Sequence, residues 1–360
     1  MKNSRPRVIV SPLNWGLGHA SRCIPLIRAL QRSGFEPVLA GDGKSLDLLS
    51  GEFPALRRHD LPPYDIRYSK SPDLFKFKLV LQGPGLLKTI SREHEEIERI
   101  VEREGAVGII SDNRFGAYSS KVPSVYMTHQ LQVRAGWMSR MATDWHQKVI
   151  SRFDCCWVCD YGDGDALAGV LSSAPVRTKK VKTKKVKWIG PLSRFSSSGE
   201  MEKDVDIAVI LSGPEPLRSL FQSKVIDELQ AAQGNVILVE GLVAPAQSKR
   251  KENNLTIYNF MLSQELESLI RRSRMVVSRS GYSSIMDLHA LGAKALLVPT
   301  PGQTEQEYLA DRLKEKGIFH SVSQAAFSIS ALEKAEQFPG FETKKTSKNE
   351  DLKSLFDVFK

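Results

Sequence analysis

The chain has few cysteines, no long apolar run and no aromatic side chains among its densest positive charges, and each shortage removes a class of protein. Its four cysteines (Cys23, Cys155, Cys156 and Cys159) are too few and too clustered for a disulfide framework in 360 residues, which fits a reducing compartment. Only Cys156 and Cys159 have CxxC spacing, and no second pair supplies the rest of a zinc site. The apolar run from 155 to 159 therefore reads as a buried strand. No stretch approaches the ~18 apolar residues of a membrane span, and the opening MKNSRPRVIVSP lacks a signal-peptide core. A cytoplasmic location is expected. The composition, 41% hydrophobic, 26% charged and 8% aromatic, excludes a wholly disordered, collagenous or coiled-coil chain and suits two globular domains.

The formal charge of +10 is concentrated. Residues 177–187 carry seven positive charges and no negative one, with TKKVK repeated at 178–182 and 183–187, so the rest of the chain is only +3. Without interleaved aromatics to stack bases, this segment reads as a solvated basic face, and nucleic acid is not an expected partner. Whether it meets a membrane surface stays open.

Short β-branched runs alternate with helix-period segments in two series, the pattern of parallel sheets covered by helices. The first has strand-like Arg7–Ser11, a helix over 21–33, strand-like Pro37–Ala40, a charged helix over 86–104, then strand-like Val107–Ser111, Val125–Met127 and Cys155–Cys159. The second has Ile207–Leu211, a helix over 217–232, Asn235–Glu240, a helix over 264–273, Met275–Ser278, a helix over 283–291, Ala295–Val298 and a helix from Glu305. Ser196-Ser-Ser-Gly199 forms the junction. In the last stretch Leu352, Leu355, Phe356 and Phe359 make one apolar helix face.

Two segments carry chemistry. In Asn14-Trp-Gly-Leu-Gly-His19-Ala-Ser-Arg22-Cys23, between a strand and a helix, Gly16 and Gly18 allow close backbone approach and His19 stands at the loop's mouth. As a dinucleotide fingerprint the fit is loose, with Ser21 in place of the last glycine and Asp42 as the ribose acid. In the second, a strand ends in Ser278-Arg279-Ser280-Gly281 and a helix begins at once, converging hydroxyls and the helix N-terminus on one point suited to phosphate. Asp287 follows one helical turn later, where a carboxylate can accept from a sugar diol, and Pro299–Gln306 reaches the same sheet edge. Four further features have a functional and a structural reading. Asp112-Asn-Arg114 is a substrate contact or a salt-bridged strand end. Trp15 is a sugar platform or core. The residues from Asp160 to Asp165 imitate a metal loop but lack a downstream bidentate glutamate, so they read as a turn. Leu and Phe interleaved with Lys over 72–88 suit an interfacial patch beside anionic headgroups or an ordinary amphipathic helix.

These motifs resemble those of the GT-B glycosyltransferases, and of family 28, the MurG-like enzymes, in particular. That family's Gly-Gly-His loop is matched by Gly16, Gly18 and His19, its Ser-Arg-Ser-Gly motif by Ser278 to Gly281, and its ribose-binding acid by Asp287. Pro299, Pro301, Glu305 and Gln306 match its donor-sugar segment. His129-Gln130 matches its His-Glu-Gln signature in part, and its glycine-rich loop is reduced to Ser212-Gly213-Pro214. The resemblance implies an α/β GT-B fold with two Rossmann-like domains whose parallel sheets face across a cleft. Residues 1–195 would form the acceptor domain, 200–340 the nucleotide-sugar domain, and 341–360 a helix crossing back to the first. It implies an inverting hexosyltransferase that moves a hexose or N-acetylhexosamine from a UDP-sugar to a lipid-linked or glycan acceptor, with an anionic membrane surface as a candidate partner and a peripheral place on the inner face of the membrane. His19 would be the catalytic base, with Asp112 and His129 in reserve. Ser212, Gly213, Arg279, Ser280, Gly281, Asp287, Glu305 and Gln306 would bind the donor with Gly16 and Gly18, without metal or added cofactor. The run from Gly16 to Cys23, Gly-x-Gly-His-x-x-Arg-Cys, is also similar to the UDP-sugar hydrolase of pseudaminic acid synthesis, in which the histidine serves water. Transfer and hydrolysis both stand as expectations.

Overall fold

Val8, Ile9 and Val10 are wholly buried in consecutive positions, as a strand covered on both faces requires. The computed structural model describes residues 5–64, 83–134, 139–162, 164–173, 186–196, 201–230, 232–342 and 349–360. Residues 178–185 of the lysine repeats, the serine-rich junction beyond Ser196, and residues 72–82 of the Leu/Phe/Lys segment lie outside them. The described residues fall into two compact units that divide at Leu192/Ser193, with the C-terminal segment from 349 belonging to the first.

In the first unit the chain runs β1 (Arg7–Pro12), α1 (Leu17–Arg32), β2 (Glu36–Gly41), α2 (Gly43–Glu52), β3 (Arg58–Asp60), α3 (Gly83–Glu104), β4 (Ala106–Asp112), β5 (Ser124–Thr128), α4 (Ser139–Ile150), β6 (Cys155–Val158) and β7 (Val186–Trp188). Its seven strands pair in parallel in the order β3-β2-β1-β4-β5-β6-β7. Ile9, Val38 and Ile109 pack against Ile97, Ile100 and Val101 of α3. The cysteine run forms β6, as a buried strand should. Asp160 just beyond it accepts from the backbone N–H of Tyr161, Leu167 and Ala168 and from Ser172 Oγ, which makes the acidic segment a carboxylate-centred turn. A 3-10 helix, Asn349–Phe359, closes the unit: Phe356 and Phe359 lie 6.1 and 6.3 Å from Phe35, and 6.3 and 6.4 Å from Trp157.

The second unit runs β8 (Val205–Ile210), α5 (Leu217–Leu229), β9 (Val236–Val239), β10 (Lys249–Glu252), β11 (Leu255–Tyr258), α6 (Ser263–Arg272), β12 (Ser273–Ser278), α7 (Tyr282–Leu291), β13 (Ala295–Leu297), α8 (Thr304–Glu315), β14 (His320–Ser321) and α9 (Ile329–Ala335). Its order is β10-β11-β9-β8-β12-β13-β14, parallel except for the antiparallel edge pair β10/β11. That hairpin adds one antiparallel edge pair to the expected parallel sheet. Its turn uses Asn253 at φ 55°, and β10 reads Lys-Arg-Lys-Glu, with no apolar alternation to betray a strand. Val209, Leu238, Ile257, Val277 and Leu296 form the core with Phe221 and Phe327.

In each sheet the strand order reverses direction at one place, β1/β4 in the first and β8/β12 in the second, and the loops after these strands are where ligands of open α/β sheets bind. Among the described residues no helix is long and apolar enough to cross a membrane.

Candidate functional site

In the first unit Gly16, at φ 100°, takes a backbone conformation that suits glycine and starts α1 at Leu17. The helix therefore begins four residues before the expected Ser21, and His19 sits in its first turn. The loop is pinned from α2: Asn14 Nδ2 donates to Asp42 Oδ2 at 3.0 Å, and Ser45 Oγ donates to the carbonyls of Leu13 and Gly16, each at 3.3 Å. Asp42, the acid of the dinucleotide reading, is thereby engaged with Asn14 and also with Arg114.

His19, Arg22 and Asp112 meet at the ends of β1 and β4. Arg22 lies three residues after His19, hence on the same helix face. Its Nε donates to Asp112 Oδ2 at 2.6 Å and its Nη2 to Oδ1, while Nη1 lies 2.7 Å from His129 Nδ1 and Nη2 lies 2.8 Å from His19 Nδ1. His19 Nδ1 is also 3.1 Å from Asp112 Oδ1. Guanidinium only donates and an ionised carboxylate only accepts, so His129 Nδ1 accepts and its proton sits on Nε2. His19 Nδ1 faces both kinds of group. With its proton on Nδ1 it donates to Asp112, which leaves Nε2 as a base with no hydrogen-bond partner among the described residues.

Burial by itself would raise Asp112, but the adjacent Arg22 and His19 outweigh it and hold the carboxyl down to about 2, so it is ionised at neutral pH. Burial lowers His19 below its ordinary 6.5 and Arg22 adds to this, while Asp112 opposes both. The side chain of His19 keeps 16% of its surface open, whereas Asp112 is wholly enclosed. His19 is thus the member that solvent or a substrate reaches. Arg22 stands in the Gly-x-Gly-His-x-x-Arg-Cys run, where its i, i+3 spacing from His19 is the only local signal of this role.

Arg114 is fully buried. It engages Glu93 and Asp42 and donates from Nη2 to Pro62 O at 2.8 Å, so the Asp112-Asn113-Arg114 run takes the salt-bridged form at Arg114 and joins the His19 cluster at Asp112. Trp15 packs edge-on to Phe115 at 6.2 Å, on the core side.

In the second unit three loops meet beyond β8, β12 and β13. Gly213, at φ 104°, lies against Thr300: a Cβ there would stand 3.4 Å from Thr300 Oγ1. Ser280 Oγ donates to Gln306 O at 2.7 Å, tying the Ser-Arg-Ser-Gly loop to α8, and Gly281 caps α7. Gln306 braces its own turn, accepting from Thr300 N at 2.8 Å and donating to Gln303 Oε1 at 2.6 Å. Glu305 lies beside it in the first turn of α8, and Ser212 precedes Gly213 in the first loop. Arg279 is 1% exposed and lies 4.3 Å over the Phe221 ring. It donates to the carbonyls of Val298, Pro299 and Leu217, each at 3.2 Å, and burial lowers it to about 10. Its contacts fix the loop. Asp287 accepts from Ser193 Oγ at 2.7 Å and lies 3.4 Å from Arg194 Nε; burial raises its pKa despite both.

Known proteins resemble this chain in sequence and in fold. Residues 216–353 match the Glycosyltransferase family 28 C-terminal domain. An uncharacterized glycosyltransferase of Methanopyrus kandleri is 20% identical, covering 81% of this chain and 85% of its own length. The UDP-N-acetylglucosamine--N-acetylmuramyl-(pentapeptide) pyrophosphoryl-undecaprenol N-acetylglucosamine transferase of Clostridium tetani is 23% identical, over 78% of this chain and 75% of its own. In fold the chain is similar to Acinetobacter baumannii MurG, with a TM-score of 0.54, 10% identity, and 98% and 99% of the two chains covered. The chain is a glycosyltransferase of the GT-B fold that carries a glycosyltransferase family 28 C-terminal domain over residues 216–353 and is similar to MurG-type transferases over most of its length.

Proposed function

We propose that the enzyme transfers a hexose or N-acetylhexosamine from a UDP-sugar to a lipid-linked or glycan acceptor, with inversion. The carrying observation is the His19–Asp112 pair, a partly open imidazole backed by a buried, ionised carboxylate. His19 Nε2 takes the proton of the acceptor hydroxyl as its oxygen bonds to the anomeric carbon, and the bond from that carbon to the β-phosphate oxygen breaks to release UDP. Asp112 orients the imidazole and stabilises its protonated form. His129, held by Arg22, lies beside the pair.

On the second unit, Ser280 and Gly281 at the N-terminus of α7 would take the diphosphate, with Ser212 and Gly213 beside them. Asp287 would accept from the ribose diol, and Glu305 and Gln306 would face the hexose. Arg279 would shape this site through its loop contacts, as Gly16 and Gly18 shape the loop of His19. Helix dipole and hydroxyl donors can offset the leaving charge, so we propose turnover without metal or added cofactor. The C. tetani relative is by name a transferase of N-acetylglucosamine from UDP-N-acetylglucosamine, which supports a UDP-sugar here. Leu87, 57% exposed near the start of α3, belongs to the Leu/Phe/Lys segment and supports a peripheral place on the cytoplasmic face of a membrane.

The test incubates the protein with a panel of UDP-sugars in EDTA, with and without lipid extract, and follows UDP and free sugar. UDP release that depends on added acceptor supports transfer. Equal release of UDP and free sugar without acceptor would replace this reading by hydrolysis. His19→Ala should lower kcat by about 10²- to 10⁴-fold with UDP affinity intact, and wild-type turnover in that variant would remove His19 as the base.

A further inference from the structure

Asp112 is followed by a residue in an unusual conformation. Among the described residues only Asn113 and Asn253 are non-glycines with positive φ, and Asn253 is accounted for by its hairpin turn. Asn113, at φ 58°, lies instead at the end of β4, directly after the buried carboxylate. The peptide joining it to Asp112 is bonded on both sides: Asp112 O accepts from Leu13 N at 2.9 Å, where the His19 loop begins, and Asn113 N donates to Met127 O at 3.2 Å. These are the last rungs of the β1/β4 and β4/β5 ladders, so the Asn113 turn begins where the sheet's hold on the chain ends.

The turn has a brace behind it. Tyr126, wholly buried on β5, donates from its hydroxyl to Asn113 Oδ1 at 2.9 Å, and the same hydroxyl lies 2.9 Å from Nε2 of buried His146 on α4. A tyrosine hydroxyl has one proton, and Asn113 receives it. His146 must then donate from Nε2, which fixes its tautomer with Nδ1 unprotonated. Burial, with nearby His129, holds His146 down to about 4, so it keeps this neutral form at neutral pH.

We infer that Tyr126 and His146 are positioning residues: through Asn113 they hold Asp112 in register with His19. The inference rests on the His19–Asp112 reading, but its test need not. Histidine imidazole NMR gives the pKa of His19 without substrate, and Asp112 is what raises that pKa against burial. If the brace positions the carboxylate, Tyr126→Phe, which removes one oxygen from a ring that still fills its site, lowers the pKa of His19 by about half a unit or more. His146→Leu does the same. His146→Gln, which retains an N–H near the Nε2 position, leaves the pKa near wild type.

An unchanged His19 titration in Tyr126→Phe overturns the inference. So does an equal change in His146→Gln and His146→Leu, because a merely packed side chain would not distinguish the donor. The activity arm separates the two readings. With UDP-N-acetylglucosamine as donor, Tyr126→Phe should lower kcat about tenfold at unchanged KM, as expected of a misplaced catalytic group. An inactive His19→Ala beside a fully active Tyr126→Phe removes the brace and spares the base. A fully active His19→Ala removes the base, while the NMR result still decides whether the brace holds Asp112.

Discussion

Arg22 grips Asp112 with two N–H groups, Nε on one oxygen at 2.6 Å and Nη2 on the other, with both side chains essentially excluded from water. The pair keeps a carboxylate ionised in the interior, where His19 alone would leave it poorly compensated. Removing one partner leaves a buried charge without its counter-ion, so Asp112→Asn should cost about 3–5 kcal/mol of stability at pH 7, read by urea denaturation. The pH dependence has a fixed sign. The folded pKa is held at about 2, below an unfolded value of about 3.9, so this stabilisation is complete above pH ~4 and is lost as pH falls toward 2. The gap between wild type and Asp112→Asn should narrow by about 2.6 kcal/mol over that window. A constant gap would mean that Arg22 does not depend on the carboxylate.

His19 makes a second prediction about pH. Burial and Arg22 lower its pKa below the ordinary 6.5, and the base must be unprotonated, so the acid limb of kcat/KM should lie below pH 6.5. Asp112→Asn removes the charge that raises the pKa of His19 and should move that limb further down. A limb above pH 6.5 in wild type would exclude His19 as the titrating base.

What was legible in the sequence follows physical lines. Strands covered on both faces announce themselves as β-branched runs, so β1, β4, β8 and β12 were visible. The loops after them were visible because glycine, serine and a helix start leave a local signature. Edge strands were not: β10 is all charged and β14 is two residues long. The pairing of Arg22 with Asp112 joins positions 90 apart in the chain, and that of Ser193 with Asp287 joins positions 94 apart; local pattern carries no information about either. Arg279 shows the same limit. Its motif suggests an anion contact, yet three backbone carbonyls and the Phe221 face surround the guanidinium.

Asp287 should separate stability from binding. Its folded pKa is raised by burial in spite of Arg194 and Ser193, so the ionised form is held at a cost that is absent below about pH 3.9 and appears as pH rises through the folded value. Asp287→Asn removes that titration while keeping an acceptor for Ser193. The variant should be at least as stable as wild type at pH 7, with any advantage vanishing below pH 4. If the carboxylate also receives the ribose diol, the same variant should bind UDP more weakly by about 1–3 kcal/mol in calorimetry. Unchanged UDP affinity would take Asp287 out of the donor site.

The C-terminal segment makes a prediction about packing. Gly108, in the middle of β4, lies directly under the Phe359 ring: a Cβ at this position would stand 2.1 Å from a ring carbon, and Phe359 also packs on Phe35 and Trp157. Gly108→Ala must push the ring aside and should cost about 1–3 kcal/mol, as overpacking does. Phe359→Ala should cost about 3–5 kcal/mol through the cavity it leaves. In the double variant the new methyl has no ring to meet, so its cost should be well below the sum of the singles, a coupling that a thermodynamic cycle by urea denaturation measures. Strict additivity would show that Phe359 does not rest on Gly108 in solution and that the last turn is not docked on the first sheet.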